Sequence, residues 1–217
     1  HLLVKILAYK NVLITQSSIK NIDSTELDKV LNVLLENNTW QIPTISMYKG
    51  LAYEEYNHDK WKNSFEYLPK KIKNKWNNQI LKRKSPANND SRVFSKWQKS
   101  MTNTMNKKGI KFMAGTDTPI FFQTPGYSLH TELEVLVESG LTPIQAIESA
   151  TYNPAQYFKM QNELGLIKEG YIADLLILSK NPLEKISNTR KIDAVIKNGN
   201  YMNRSVLDSL LSWQSKN

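Results

Sequence analysis

Chemistry in this chain has few places to sit. There is no cysteine, so thiolate nucleophiles, thiolate metal sites and disulfides are excluded. Histidine occurs three times, as His1, His58 and His130. The nucleophile elbow GxSxG, the phosphate loop GxxxxGKS/T, the zinc motif HExxH and the dinucleotide motif GxGxxG are all absent. What remains is carboxylate and imidazole chemistry at strand ends. Asp117 is best placed for it, because it ends the apolar run Gly109-Ile-Lys-Phe-Met-Ala-Gly-Thr-Asp117. Parallel α/β folds gather their reactive groups at the carboxyl ends of strands. A carboxylate there binds a hard cation or takes a proton from water. An Asp before Thr118-Pro119 equally caps the following turn, and on the residues alone the two readings stand level.

The elements that must position Asp117 follow from length and pattern. With 217 residues the chain makes one good-sized domain or two small ones. That is slightly short of the about 250 residues of a complete TIM barrel. The first residue is His1, directly before an apolar stretch, so the chain reads as a piece of something longer. Apolar residues make up 40% and charged ones 23%, a composition that folds rather than staying disordered. No apolar run approaches the roughly 18 residues of a membrane span, and no signal-peptide pattern is visible.

Asn11–Thr15 and Gln41–Ser46 read as strands, as does Gly109–Asp117. Between the first two, Leu27, Val30, Leu31, Leu34 and Leu35 recur at helical spacing behind Ser24, a candidate cap. Residues 53–105 read as helices broken at Pro69 and at Ser85–Asp90. Thr131–Ser139 is a helix closed by Gly140. Thr142-Pro143 and Asn153-Pro154 then mark two helix starts. Ala173–Ser179 and Ile192–Lys197 are strands, the second turning through Asn198-Gly199, and Ser205–Trp213 is a terminal helix. The alternation implies a parallel α/β layer followed by an antiparallel piece, with a boundary near residue 163.

Charge is concentrated. Residues 60–111 hold 15 of the 29 Lys/Arg residues against only Glu66 and Asp90. The same segment carries Trp61, Phe65, Tyr67, Trp76 and Trp97. Basic residues interleaved with aromatics are one signature of nucleic-acid binding. An outer helical layer with Lys in water and aromatics beneath is the favoured reading, since that is the commonest use of surface Lys.

From Met113 onward a chain of motifs runs unbroken: Met113-Ala-Gly-Thr-Asp-Thr-Pro119, Pro125–Leu133, Glu138-Ser-Gly-Leu-Thr-Pro143, Ala150–Ala155 and Leu164–Gly170. Ala173-Asp-Leu-Leu176, Asn181–Leu183, Ile186–Asn188 and Ala194–Gly199 complete it. Together they resemble the end of the metal-dependent amidohydrolase superfamily, in particular its imidazolonepropionase-like branch, which includes Xaa-Pro dipeptidases. Residues 1–47 fit the pattern less strongly.

The resemblance implies an α/β chain forming the C-terminal part of a (β/α)8 TIM barrel with a small composite β-sandwich. Residues 1–163 would be a partial barrel with its sixth to eighth strands and a helical insertion at 48–107. Residues 164–217 would be the sandwich portion and tail. It further implies one or two divalent metals, usually zinc, and cleavage of a C–N bond in a peptide-like or cyclic amide. Asp117 matches the family's last-strand metal ligand and general base. His1, followed by Leu-Leu, resembles the sixth-strand metal ligand. His130 falls in the segment that lines the mouth and contacts substrate, although a histidine there equally bonds local backbone. His58, in Tyr56-Asn-His-Asp59, reads as solvated. The family's paired H-x-H has no counterpart here, so the missing N-terminal half of the same protein is an expected partner. Two rivals remain: a catalytically degenerate amidohydrolase-like binding protein, and a basic nucleic-acid module at 60–111.

Three expected barrel strands are too few to close a barrel. Residues 1–217 alone should therefore expose strand edges and apolar helix faces and bind a hydrophobic dye. A monomer with a sharp cooperative melt and no dye binding would refute this.

Overall fold

The computed structural model describes Ile19 and residues 22–53, 64–82 and 89–216. His1, His58 and the expected strand Asn11–Thr15 lie outside them.

Helix α1 (Ser24–Glu36) is capped by Asp23 and not by the expected Ser24. The Asp23 carboxylate accepts from the Thr25 and Glu26 N–H groups at 2.7 and 3.3 Å. A cap must precede the first helical residue, and Ser24 is already helical. Leu31 and Leu34 of α1 bury against Met101, Met105, Ile110 and Phe112.

The run Gln41–Ser46 is not the strand its apolar residues predict. Only Gln41 pairs, in a parallel bridge with Phe112. Its N–H donates to the Lys111 carbonyl, and its own carbonyl accepts from Met113 N–H, both at 2.9 Å. Pro43 then has no N–H to extend a ladder, Thr44 turns left-handed at φ +48°, and helix α2 (Ile45–Tyr53) begins. Helices α3 (Lys70–Lys82) and α4 (Asn89–Lys107) lie within the expected insertion.

The run 109–117 is likewise extended, with Phe112 its one bridged residue. Helical residues take its second edge. The Ala114 N–H donates to the Ser149 carbonyl at 2.8 Å, and Asn153 Nδ2 donates to the Phe112 carbonyl at 2.9 Å. Those partners come from α6 (Pro143–Ala150) and α7 (Tyr152–Tyr157), which follow α5 (Tyr127–Glu138). Thr142 and Gln145 form a reciprocal capping box at the start of α6, with Pro143 as its first residue, as expected. The expected Asn153 cap is not formed: α7 starts at Tyr152, two residues before the expected Pro154, leaving the Asn153 amide to hold Phe112. Helix α5 begins a turn before the expected Thr131, directly after Gly126 at φ +73°.

The C-terminal piece is a three-stranded antiparallel sheet in the order β1 (Leu175–Leu178), β2 (Ile192–Lys197), β3 (Asn200–Asn203). Asn198 and Gly199 both have positive φ, as a tight two-residue hairpin requires. The Asp174 carboxylate secures this turn, accepting from Asn198 N–H at 2.7 Å and pairing with Lys197. Helix α8 (Arg204–Lys216) packs on β2 and β3.

Three apolar clusters hold the chain. One joins Ile45, Leu133, Leu136, Leu141, Ala146 and Ile186. A second is the α1–α4 cluster described above. The third is aromatic, with Trp76 edge-on to Phe122 at 5.2 Å over Leu68 and beside Phe65. The aromatics Phe65, Trp76 and Trp97 are thus packing residues, while Lys70, Lys71 and Lys75 face solvent. Among the described residues, Phe158 (66%), Leu176 (54%) and Ile167 (90%) are large apolar side chains left exposed. No described helix is long and apolar enough to cross a membrane.

Gly165 joins the helical part to the turns that lead into the sheet. Its φ is +91°, and an added Cβ would lie 2.8 Å from Tyr152 Cα and 3.0 Å from both Ala155 Cβ and the Thr151 carbonyl. Backbone cannot step aside as a side chain can. Gly165→Ala should therefore cost roughly 2–4 kcal/mol, combining left-handed strain with overpacking. Denaturant unfolding of the two proteins measures it, and a change within 0.5 kcal/mol, about the size of a neutral surface substitution, would contradict the packing described.

Candidate active site

Asp117 stands where the extended run ends, at φ +56° and exposed. Left-handed backbone is tolerated by Asp better than by most residues. The turn behind it is closed by its main chain, Ile120 N–H donating to the Asp117 carbonyl at 3.1 Å. Among the described residues its carboxylate has no hydrogen-bond or ion-pair partner. The side chain therefore does not cap the Thr118-Pro119 turn.

The parallel bridge makes the two extended runs end on the same side, so Thr44 and α2 begin beside Asp117. Tyr48, one turn into α2, is half-buried with its ring edge-on to Phe94 at 5.1 Å. Burial pushes the phenol up from its ordinary value, and the Asp117 charge adds to the shift. Tyr48 thus keeps its proton at neutral pH and can donate a hydrogen bond.

The start of α2 is held by Glu132 of α5, a residue to which its sequence context assigns no role. Its carboxylate is fully buried and accepts from Ile45 N–H at 3.0 Å on Oε1 and from Ser46 N–H at 2.7 Å on Oε2. The Ser46 hydroxyl donates to Gln123 Oε1 at 3.3 Å. Burial pushes the Glu132 carboxyl up to about 7, although hydrogen bonds from Ser46 and Ile45 oppose it. One signal was available. Glu132 lies four residues from both Ser128 and Leu136 on a helix face that is otherwise buried.

His130 sits on α5 but faces the C-terminal part of the chain. Its Nδ1 is 3.0 Å from the Thr189 hydroxyl. Burial, reinforced by the nearby Arg190 charge, lowers its pKa despite Glu134, so the ring is neutral at pH 7. Arg190 Nε donates to Glu134 at 2.8 Å and Nη2 to the Thr131 hydroxyl at 2.8 Å, with the guanidinium over the Tyr127 ring at 4.6 Å. Tyr127, Thr131, Glu134 and Arg190, but not His130, border a cleft of about 180 Å³ between α2, α5 and the 122–123 turn, lined also by Ser46, Lys49 and Gln123. Asp117 is not among the residues that line it.

The structure thus brings Tyr48 within electrostatic reach of Asp117 and leaves His130 in the α5 contact with Thr189; His1 lies outside the described residues. As a cation ligand Asp117 fits in kind: it is a hard, unpartnered carboxylate. It is one donor and not a complete set. Among the described residues no three His, Asp or Glu side chains gather closely enough to hold a metal ion.

Glu132 has a consequence for stability. Its folded pKa is raised from 4.5 to about 7, so between those values the folded chain retains a proton that the unfolded chain has released. Stability from this group therefore falls as pH rises through that window, by about 3 kcal/mol in all. Thermal melts from pH 4.5 to 8 should show this slope in the wild type and lose it in Glu132→Gln; parallel curves would contradict it.

Comparison with known proteins places this architecture. The amidohydrolase family profile matches residues 5–202. An ochratoxinase from Aspergillus niger is 40% identical over 91 residues, covering 41% of this chain and 18% of that protein. An adenine deaminase from Mesorhizobium japonicum is 49% identical over 43 residues, 20% of this chain and 7% of that one. Among solved structures, a Xaa-Pro dipeptidase with bound methionine superposes with a TM-score of 0.59 at 24% identity, over 81% of this chain and 37% of its own. The bottromycin amidohydrolase reaches a TM-score of 0.65 at 15% identity, over 94% and 46% respectively. The chain spans less than half the length of each of these relatives. Shared fold and a match along nearly the whole chain agree: the chain belongs to the amidohydrolase family.

Proposed function

We propose that this chain is the C-terminal part of a metal-dependent hydrolase that cleaves a C–N bond in a peptide-like or cyclic amide substrate. The observation that carries the reading is Asp117, exposed and without a partner among the described residues at the end of the extended run, inside a family match spanning residues 5–202. His1, by its place in the sequence, is the second metal ligand contributed by this chain, and His130 contacts substrate at the mouth. Further ligands come from the N-terminal half of the protein. That half also supplies the strands that pair with the free edge of β1, where Leu176 and Ile177 are exposed, to complete a composite sandwich.

A divalent cation, zinc by family habit, supplies Lewis acidity when bound. The chemistry assigned to this chain is proton transfer. An Asp117 carboxylate oxygen takes a proton as water adds to the amide carbonyl. It returns that proton to the nitrogen as the C–N bond breaks. Tyr48, which keeps its phenolic proton, donates to a substrate oxygen beside Asp117.

Asp117→Asn keeps the shape but removes charge and basicity. In the full-length enzyme it should lower amide hydrolysis by a factor of about 10² to 10⁴. Bound metal should fall too, because an amide oxygen is a weaker ligand. Asp174→Asn is the control: it weakens the Lys197–Asn198 turn and should lower thermal stability with little change in turnover per folded molecule. Near-wild-type turnover with full metal occupancy in Asp117→Asn would remove the reading.

A further inference from the structure

Helix α2 begins in an awkward place. Thr44, directly before it, has φ +48°, a conformation that is strained for a non-glycine residue. The first N–H groups of a helix have no acceptor within it. Here two of them, on Ile45 and Ser46, are buried and aimed at a single carboxylate. That carboxylate comes from 86–87 residues further along the chain and is 0% exposed. A buried charge is retained only where specific hydrogen bonds offset its desolvation. The two amides supply those bonds, so α2 and Glu132 fix one another's position.

What α2 then carries is Tyr48, three residues after Ile45 and thus on the same side of the helix. The phenol lies in the field of Asp117, at the end of the neighbouring run. Resting on the hydrolase reading above, we infer that Glu132 is a positioning residue: by capturing the Ile45 and Ser46 amides it sets the angle of α2 and so holds the Tyr48 phenol beside Asp117. The groups that donate to Glu132 are the Ile45 and Ser46 amides, with the Ser46 hydroxyl nearby, all from α2, and none is charged. Protonation leaves the carboxyl with one strong acceptor for two N–H groups, so the grip on α2 loosens as pH falls through about 7. The low-pH form is the better folded and the less well aligned, a separation that a purely structural cap does not produce.

The test uses the full-length enzyme labelled with ¹⁵N and with ¹³Cζ-tyrosine, as wild type, Glu132→Gln and Tyr48→Phe, the last to assign the Tyr48 signal. In the wild type the Ile45 and Ser46 amides and the Tyr48 carbon should titrate together with a midpoint near 7. In Glu132→Gln, held well below its melting temperature, all three should lose that titration. Its kcat should drop between about 10- and 100-fold with KM within about twofold, the signature of misplacement rather than lost binding. A Tyr48 signal that titrates in Glu132→Gln as in the wild type would overturn the inference, as would an unchanged kcat. The spectra need no turnover. Coupled titration in an enzyme that hydrolyses no amide would therefore sink the hydrolase reading while leaving the coupling of Glu132 to Tyr48 in place.

Discussion

The interaction on which the structure turns is the satisfaction of the backbone from 110 to 115. A buried extended segment must pair its N–H and C=O groups, yet among the described residues this one has a single bridge to a neighbouring run, at Gln41. It is held by three different devices. Gln41 takes one edge, the Ser149 carbonyl receives Ala114, and the Asn153 amide covers the Phe112 carbonyl. The last two fasten α6 and α7 to the segment that ends in Asp117. Gly115 lies against the Ile42 side chain, which leaves no room there for a Cβ. Asp117 is aimed by a scaffold drawn from three parts of the chain.

The same logic operates at the start of α2. Pro43 ends the pairing, Thr44 turns the chain, and the buried first N–H groups of the new helix need an acceptor. Glu132 provides it from the middle of α5, which also carries Leu133 and Leu136 into the core beside Ile45. Packing and polar contacts therefore come from one helix face. Glu138, at the end of that helix, binds Lys49 of α2 at 2.9 Å and Lys99 of α4 at 2.6 Å. These surface pairs are screened and contribute little; the buried carboxylate sets the geometry.

Local devices were legible in the sequence and distant ones were not. The Thr142-Pro143 helix start and the Asn198-Gly199 hairpin were readable because each is written within four residues. Asp117 was readable as a candidate because it ends an apolar run and sits in a recognisable string of motifs. Gln41–Ser46 was misread as a strand, since an apolar run alone does not reveal that Pro43 denies it a ladder. Asn153 was misread as a cap because its true partner, the Phe112 carbonyl, is 41 residues away. Glu132 was passed over for the same reason: a glutamate inside a helix reads as solvent-facing until its acceptor role, 86 residues distant, is seen.

The proposal that Asp117 is where this chain meets a metal ion rests on family membership and on the exposed Asp117 carboxylate. The direct measurement is a crystal structure of the full-length protein with zinc, with anomalous scattering recorded on both sides of the zinc edge. The account predicts an anomalous peak about 2.0–2.2 Å from an Asp117 carboxylate oxygen, the usual Zn–O distance. A fully occupied zinc held by other residues, with the Asp117 carboxylate turned onto its own backbone, would contradict it.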